Sequence, residues 1–453
     1  MKNENQYFKE TQEFMGSITD ESITINDLHF KITYSKIDNE NIEGIVIGNG
    51  LDLEKIRSLD FSKRLRLFSE NELLQINSES FRITKFSFPP IVNGIQQKQY
   101  DVAEIIFESI SFKHKTINNV RNSISYYLTG PTTIFNLHVY QDNGKYLKAS
   151  DNNTIIIGDN SVDINIDLFQ LYHHDKQNKY NVSTYTTFVT IIDLLDQENS
   201  VFIEKANAII NKILLMMSFI SRKWIDWYYY DFISNNCFIR HIRKGRKCIN
   251  EEIYYDKLLI EYNRSYEFIT TGYQKYNDLL GHNIDLKMPL TYYLLGLEAK
   301  YIEEKFTSMF LALERLKDMY SRAYKIINYI DKPLFNNIKA KIHEIINSAT
   351  NKTEADKMLC KISDLNRPSI RFIIEKMLKE YEIQWEELYP NNKEITLFTT
   401  RNALFHTNKE FTERSYKDCY RLQYILERLL LKMLGWSDFK NSPPEHTLEW
   451  LRE

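Results

Sequence analysis

Six residues near the C-terminal end of the chain place an arginine, an asparagine and a histidine within two helical turns. They read Arg401-Asn402-Ala403-Leu404-Phe405-His406. An imidazole titrates near pH 7 and can move the proton of a ribose 2′-OH or of a leaving oxygen. A guanidinium binds a phosphate through two parallel hydrogen bonds and stabilises charge that builds up in a transition state. This combination of side chains suits the cleavage of RNA.

The surrounding residues predict that this motif lies on an amphipathic helix. Its apolar positions recur at helical spacing and are Leu397, Phe398, Leu404 and Phe405. Arg401 projects into the middle of this apolar arc, where an unpaired charge is costly to bury. Arg401 and His406 are separated by about 140° around an ideal helix, so they converge only if the arginine curls round or a second helix supplies a partner. The alternative interpretation is that Arg401 pairs with a nearby Glu and that His406 is solvated at a helix end.

The composition indicates a soluble globular protein of two or three domains. The chain has 453 residues, of which 43% are hydrophobic and 26% charged. Its net charge of -3 provides no global basic field to attract nucleic acid. Its apolar runs are too short to span a membrane, its first residues form no secretory signal, and its four cysteines form no CxxC pair. We therefore expect a cytoplasmic protein that contacts no membrane and has reduced thiols.

The chain changes character near residue 198, and its first part is typical of β-structure. Short β-branched or alternating segments are separated there by polar turns, and they lie at 22–25, 28–34, 44–47, 81–88, 103–107, 154–157, 162–166 and 184–191. Many short strands at this spacing predict a sandwich or an open barrel. Residues 1–198 are therefore the predicted β-rich N-terminal domain.

The remainder of the chain has helical periodicity, which gives an α+β fold class overall. The predicted divisions are a helical connecting region at 199–290, an all-α helical bundle at 291–436 and a C-terminal tail at 437–453 that packs back locally. The predicted helices lie at 200–230, 251–280, 292–327, 393–407 and 411–434. Gly435 is the predicted C′ residue of the last helix.

This organisation resembles the ApeA-type proteins of bacterial anti-phage defence, which carry a C-terminal HEPN ribonuclease domain. The HEPN part of the resemblance covers about residues 290–436 and depends on the segment 310–316 and on the R-N-x-x-x-H motif at 401–406. The N-terminal part depends on Gly16, on the strand pairs around 28–32 and 44–47, and on the overall layout.

The resemblance implies a metal-independent endoribonuclease that needs no cofactor and acts as a homodimer through the HEPN bundle. His406 would be the general acid and base, Arg401 the phosphate-binding and transition-state residue, and Asn402 the group that positions one of them. Lys409 and Glu314 are candidate substrate-binding residues, although a solvent-exposed Glu on a long helix is the simpler interpretation of Glu314.

The implied activity is an abortive-infection response. Proteins of this kind are thought to cut transfer RNA or other cellular RNA after an unknown phage trigger, leaving 2′,3′-cyclic phosphate and 5′-OH ends. A second hypothesis stays open. The bundle could be a non-catalytic HEPN-like module that dimerises and binds a phage or RNA ligand.

Three other constellations have simpler structural interpretations. Cys237, His241 and Cys248 match no standard zinc spacing, even with His173-His174 added, so we predict no metal site and expect the two histidines in a polar loop. The run at 224–230, which contains three tyrosines and two tryptophans, could stack bases but is more typical of buried contacts. The basic cluster at 240–247 is expected in a solvated loop or helix end.

Overall fold

The computed structural model has an α+β architecture, with an antiparallel sheet in the first part of the described chain and helices in the second. It forms two compact units, residues 1–270 and residues 271–453. The residues that the structure describes are 9–20, 22–35, 42–48, 55–56, 59, 66–69, 74–87, 91–92, 95–96, 101–115, 120–129, 139–142, 145–148, 154–155, 161–175, 180–244, 258–261, 264–385, 388–389, 396–406, 412–439 and 449–451.

The first unit contains the strands. Among the described residues they are β1 (Lys9–Thr19), β2 (Thr24–Ser35), β3 (Ile42–Gly48), β4 (Arg66–Ser69), β5 (Leu74–Ser87), β6 (Ile91–Val92), β7 (Ile95–Gln96), β8 (Asp101–Lys115), β9 (Ser123–Thr129), β10 (Val139–Asp142), β11 (Lys145–Lys148), β12 (Thr154–Ile155), β13 (Val162–Asp175), β14 (Tyr180–Asp193), β15 (Asp226–Ile233) and β16 (Cys237–Arg243). Helix α1 (Asn199–Ser221) connects β14 to β15. The predicted strand segments overlap β2, β3, β5, β8, β12, β13 and β14, and the last residues of the predictions at 81–88 and 154–157 lie outside the described residues.

One antiparallel sheet of twelve described strands has the order β12-β13-β14-β9-β15-β16-β8-β3-β2-β1-β4-β5. Strand β5 also pairs with β8, on the edge opposite to β3 and β16, so six of the described strands close into a ring. Alternate residues of β2 point into the space that these six strands enclose. There the aromatic ring of Phe30 stacks on that of Phe14, with 5.1 Å between the centroids. A side chain at Gly16 would overlap the carbonyl oxygen of Phe68, so glycine allows β4 to approach β1. The ring closure was not anticipated by the prediction of a sandwich or an open barrel.

The predicted helical connecting region at 199–290 is wrong for residues 226–243, which form β15 and β16 in the middle of the sheet. Helix α1 ends at Ser221, nine residues before its predicted limit at 230, because Arg222 adopts a left-handed conformation with φ 55°. Residues 227–232 of β15 are all buried, since both faces of this strand are covered. The strand therefore has no alternation of polar and apolar residues from which it could be predicted.

The second unit is helical. Helix α2 (Ser265–Gly281) contains the boundary between the units, and the helices that follow are α3 (Lys287–Glu298), α4 (Ile302–Ala323), α5 (Lys332–Ala349), α6 (Lys352–Leu359), α7 (Ile370–Glu380), α8 (Leu397–His406) and α9 (Glu413–Met433). A 3-10 helix (Ile362–Asn366) lies between α6 and α7. Helix α4 buries Phe306, Met309, Phe310, Leu313, Leu316 and Tyr320 at spacings of three and four residues.

The single helix predicted at 292–327 is instead a hairpin of α3 and α4. The backbone is extended at Ala299 and Tyr301, and the two helices pack on each other closely at Gly296. A side chain at Gly296 would lie 2.8 Å from Cγ of Met309 and 3.1 Å from the carbonyl oxygen of Lys305. The close packing of α3 on α4 therefore determines that the helix is interrupted here, because the helical periodicity of the sequence continues through residues 299–301.

The last helix and its cap confirm the prediction for this part of the chain. Gly435 has φ +77°, and the N–H groups of Gly435 and Trp436 donate to the carbonyl oxygens of Lys432 and Leu431 at 2.9 Å each. The ring of Trp450 in the tail contacts Tyr420 at 5.9 Å between centroids, so the tail packs back as predicted. Within the described ranges, none of the helices combines the length and apolar character that a membrane span requires.

Candidate functional site

Helix α8 carries the arginine and asparagine of the motif and packs against both α4 and α9. Leu397, at its first position, is buried. The ring of Phe398 meets the ring of Phe310 on α4 edge-on, with 6.4 Å between the centroids. This end of the predicted apolar arc therefore faces the core of the helical unit.

Arg401 forms an ion pair with Glu314 of α4. Its Nη2 donates to Oε1 of Glu314 at 3.0 Å, and the two side chains are only 19% and 22% exposed. Its Cζ lies 6.0 Å from the ring centroid of Phe310, one turn before Glu314. The guanidinium is thus held at the edge of the apolar core by a carboxylate, which stabilises a charge that would be costly to bury alone.

The interpretation of Glu314 as a solvent-exposed residue of a long helix is wrong. Its carboxylate lies on the side of α4 that faces α8, close to the buried residues Phe310 and Leu313. The α4 sequence could not show this, because Glu314 lies at the border of its apolar face. The structure therefore brings Glu314 and Arg401 together. The alternative interpretation of Arg401, that it pairs with a nearby Glu, is confirmed by this ion pair.

Asn402 is exposed and lies directly beside this pair. Its Oδ1 accepts a hydrogen bond of 3.1 Å from Nη1 of Arg401. Helix α8 continues to His406, which is its last residue. The side chain of His406 lies outside the described residues, as does the whole of Lys409, so the described part of the candidate site consists of Arg401, Asn402 and Glu314.

A second carboxylate holds α8 from the side of α9. Asp418 is completely buried and accepts hydrogen bonds from Oγ1 of Thr396 at 2.5 Å and from Oγ1 of Thr400 at 2.6 Å. Nη1 of Arg421 donates to the same carboxylate at 3.0 Å, and the Arg421 side chain is 4% exposed. We call Thr396, Thr400, Asp418 and Arg421 the Asp418 network.

The Asp418 network also includes contacts to the tail and to an aromatic ring. Nε of Arg421 donates to the carbonyl oxygen of Leu451 at 3.0 Å. The guanidinium of Arg421 lies over the ring of Tyr389, with 4.5 Å between Cζ and the centroid. Burial and the negative charge of Asp418 hold the pKa of Tyr389 well above its ordinary value. The charged groups of the network are therefore enclosed by protein on several sides.

The Asp418 network was not predicted from the sequence. Two signals were present in the sequence. Thr396 and Thr400 are i,i+4 neighbours, and Asp418 and Arg421 are i,i+3 neighbours, so each pair lies on one face of its helix. Asp418 and Arg421 occupy positions among buried leucines, where charged residues are rare unless they are paired.

An exposed arginine lies beside the second ring of the phenylalanine pair. Cζ of Arg371 on α7 is 6.0 Å from the ring centroid of Phe398, and its Nε donates to Glu375 at 2.7 Å. Its side chain is 53% exposed. Arg401 thus lies beside the ring of Phe310, and Arg371 lies beside the ring of Phe398, which packs edge-on against Phe310.

The first unit places the remaining candidate residues in the sheet. His241 lies on β16, where its Nδ1 is 2.7 Å from Oγ of Ser111 and its ring stacks on Tyr230 at 5.1 Å between centroids. Burial and, to a smaller extent, the charge of Arg243 lower the pKa of His241 to about 4. His173 and His174 lie in β13 rather than in the predicted loop, and Cys248 lies outside the described residues. Among the described residues, no three His, Cys, Asp or Glu side chains are grouped so as to hold a metal ion.

The basic cluster at 240–247 was predicted to lie in a solvated loop or helix end, but its first residues lie on β16. Arg240 lies on β16 and grips Asp231 of β15 through Nε and Nη2, each at 2.7 Å. The guanidinium of Arg243 lies 3.6 Å from the ring centroid of Trp227. These residues are ordered by strand pairing, because β15 and β16 are neighbours in the sheet. The aromatic residues 227–230 are buried in the same strand, as the structural interpretation of this run predicted.

Comparison of the chain with protein-family models, with curated proteins and with solved structures finds no match. The function of this chain is therefore inferred from the chemistry and the geometry of its helical unit.

Proposed function

We propose that the helical unit is a HEPN-type endoribonuclease whose active site is built on α8. One observation carries the proposal. The guanidinium of Arg401 is held at the protein surface beside the exposed Asn402, and Glu314 fixes its orientation from the neighbouring helix. A cation that is oriented before its ligand arrives stabilises a phosphate without further reorganisation.

The chemistry of this proposal is an internal transesterification. The ribose 2′-oxygen forms a bond to the adjacent phosphorus and the bond from phosphorus to the 5′-oxygen breaks, which leaves a 2′,3′-cyclic phosphate and a 5′-OH. His406 accepts the proton of the 2′-OH and then returns a proton to the leaving 5′-oxygen, so that the step consumes no net proton. Arg401 stabilises the additional negative charge on the phosphate oxygens, and Asn402 hydrogen-bonds to the phosphate or to His406. No step needs a metal ion.

Glu314 and Arg371 would contribute to binding of the RNA. A phosphate that reaches Arg401 competes with the Glu314 carboxylate for the guanidinium, and the released carboxylate can accept a hydrogen bond from a ribose hydroxyl. Arg371 is exposed beside Phe398 and can bind a neighbouring phosphate of the same strand. Lys409 would add a further positive charge after the motif.

In the cell this activity would serve abortive infection. The protein would act in the cytoplasm as a homodimer through the helical bundle, cut transfer RNA or other cellular RNA, and respond to a phage trigger through its N-terminal unit. The support for these points is the resemblance of the motif and layout to ApeA-type proteins.

A non-catalytic binding module is the second candidate, and a specific observation favours it. The contact of Arg401 with Glu314 is the kind of partly buried ion pair that stabilises a helix interface without any ligand. In this alternative the bundle dimerises and docks a phage or RNA partner, and replacement of His406 has no effect on RNA.

The test is RNA cleavage by the purified protein, and by cells that express it during infection, with and without EDTA. His406→Ala should lower the rate by about two to four orders of magnitude, since it removes the general acid and base. His282→Ala, which replaces an exposed histidine of the same unit, is the matched control and should cleave at the wild-type rate. Sequencing of the new RNA ends should find 2′,3′-cyclic phosphates. Undiminished cleavage by His406→Ala would sink the assignment, and loss of cleavage in EDTA would indicate a different nuclease chemistry.

A mixing experiment tests the proposed dimer. Chains with Arg401→Ala and chains with His406→Ala should each be inactive, whereas their heterodimer keeps one Arg401 and one His406 on opposite chains. Recovery of partial activity would support a site shared across the two-fold axis. No recovery in a heterodimer confirmed by tagged co-purification would show that each site lies within one chain or needs all four side chains. Light scattering that finds an active monomer would contradict the dimer.

A further inference from the structure

Asp418 is a buried carboxylate that the proposed reaction does not use. It is fully enclosed, and the four members of the Asp418 network are each at most 5% exposed. An ionised carboxylate is stable at such a place only if its oxygens are hydrogen-bonded. Both oxygens of Asp418 are, because Thr396, Thr400 and Arg421 supply the donors.

The positions of the two threonines determine how α8 can rotate about its axis. Thr396 precedes the first residue of α8 and Thr400 lies one turn later, so Asp418 holds the helix at two points on the same face. Arg401 follows Thr400 directly and leaves the helix about 100° further round. The contact of Thr400 with Asp418 on α9 and the contact of Arg401 with Glu314 on α4 therefore fix a single rotation of α8 between its two neighbours.

We propose that Asp418 is a positioning residue of the active site, which holds α8 through Thr396 and Thr400 so that Arg401 meets the phosphate. This inference depends on the proposed ribonuclease function. Arg421 forms an ion pair with the carboxylate of Asp418 and orients it, and its contact with the carbonyl oxygen of Leu451 connects the tail to the same network. The network acts through the orientation of Arg401, and it has no contact of its own with the RNA.

Two neighbouring threonines of α8 provide a matched test. Thr400 is buried against Asp418, whereas Thr399 is exposed. Valine has nearly the shape of threonine but lacks the hydroxyl, so Thr400→Val removes one hydrogen bond of Asp418 and Thr399→Val removes none. Thr400→Ser restores the hydroxyl and should restore its effect. The full-length variants would be compared in cleavage of a fluorophore–quencher RNA oligonucleotide and in hydrogen exchange of residues 397–406.

The expected result for Thr400→Val is a kcat lowered by about 10- to 100-fold with KM little changed, because a misplaced catalytic group costs rate at this scale. Exchange of residues 397–406 should become faster than in Thr399→Val, and the melting temperature should fall by only a few degrees, because one hydrogen bond of the buried carboxylate is lost. Thr400→Ser should recover most of kcat.

Two outcomes would overturn the proposal. One is a Thr400→Val protein with wild-type kcat and exchange, and the other is a loss of kcat that follows a lowered melting temperature and is not restored by Thr400→Ser. If the wild type cleaves no RNA, the ribonuclease function fails. The exchange data then still show whether Asp418 holds α8 or not.

Discussion

Arg240 in the first unit and Arg401 in the second are both partly buried arginines beside a carboxylate and an aromatic ring. Arg240 matches the two oxygens of Asp231 with Nε and Nη2 at 2.7 Å each, and its Cζ lies 5.1 Å from the ring centroid of Tyr229. Arg401 contacts Glu314 at 3.0 Å and Asn402 at 3.1 Å, and its Cζ lies 6.0 Å from the ring centroid of Phe310. The two guanidiniums therefore differ in how closely their partners fit them.

The difference indicates two separate roles for the same side chain. Asp231 and Arg240 are directly opposite each other on paired strands, so their bidentate contact is a cross-strand link in an ordered sheet. Arg401 lies beside an exposed asparagine, and its contacts are longer. We infer that Arg240 stabilises the fold, whereas Arg401 exchanges its protein partners for a ligand phosphate.

Replacement of Arg401 should have the largest effect, and the effect should be on activity. Arg401→Lys keeps the charge but loses the planar fork, so cleavage should fall by about two orders of magnitude while the protein stays folded. Arg401→Ala should be at least as impaired. Rates of RNA cleavage and melting temperatures of both variants check this. If Lys retains activity while Ala lowers the melting temperature, Arg401 is a structural residue like Arg240.

Replacement of Asp231 should have the largest effect on stability. Asp231→Asn leaves the guanidinium of Arg240 partly buried beside a neutral amide, which should cost about 2–3 kcal/mol. Thermal unfolding monitored by tryptophan fluorescence would detect the shift, since Trp227 lies on the same strand. Glu13→Gln, which removes an exposed partner of Lys31 in the same unit, is the control and should unfold at the wild-type temperature. Equal melting temperatures for all three proteins would contradict a structural role of the Arg240 pair.

The pH dependence of the first unit provides a smaller effect. The folded pKa of His241 is about 4, below its ordinary value near 6.5, because burial opposes its charged form. The unfolded chain therefore binds a proton in this window that the folded chain does not, and stability should fall as the pH drops from about 6.5 to about 4, by about 1–3 kcal/mol. His241→Gln should flatten this part of the profile in denaturant titrations at several pH values. An unchanged slope would show that other groups cause the acid sensitivity.

Replacement of Glu314 should change stability least. Both side chains of the pair are about one-fifth exposed, so Glu314→Gln should cost less than about 1 kcal/mol, and salt should reduce the difference further. Denaturant unfolding at low and high ionic strength measures this. A cost as large as that of Asp231→Asn would remove the distinction between the two arginines and would favour the non-catalytic alternative.

Local features of the sequence were sufficient to predict those elements whose structure depends on only a few neighbouring residues. The helical spacing of Leu397, Phe398, Leu404 and Phe405 predicted α8, and Gly435 predicted the end of α9, because periodicity and a left-handed cap act within one or two turns. The strands of the first unit with β-branched runs were found for the same reason. Strand β15 was missed because a strand buried on both faces has no alternation. Strand β16 was missed because Arg240 and Arg243 were interpreted as part of a solvated basic cluster.

The sequence by itself determined which chemical groups the helical unit carries, namely the arginine, asparagine and histidine at positions 401, 402 and 406. Only the tertiary structure decided what holds Arg401 and Asn402. The break between α3 and α4 depends on the packing of one helix on the other at Gly296. The contact of Glu314 with Arg401 and the hydrogen bonds of Thr396 and Thr400 to Asp418 join residues of different segments. Such contacts depend on the packing of helices against each other, and no periodicity within one helix specifies which polar residue its neighbour will present.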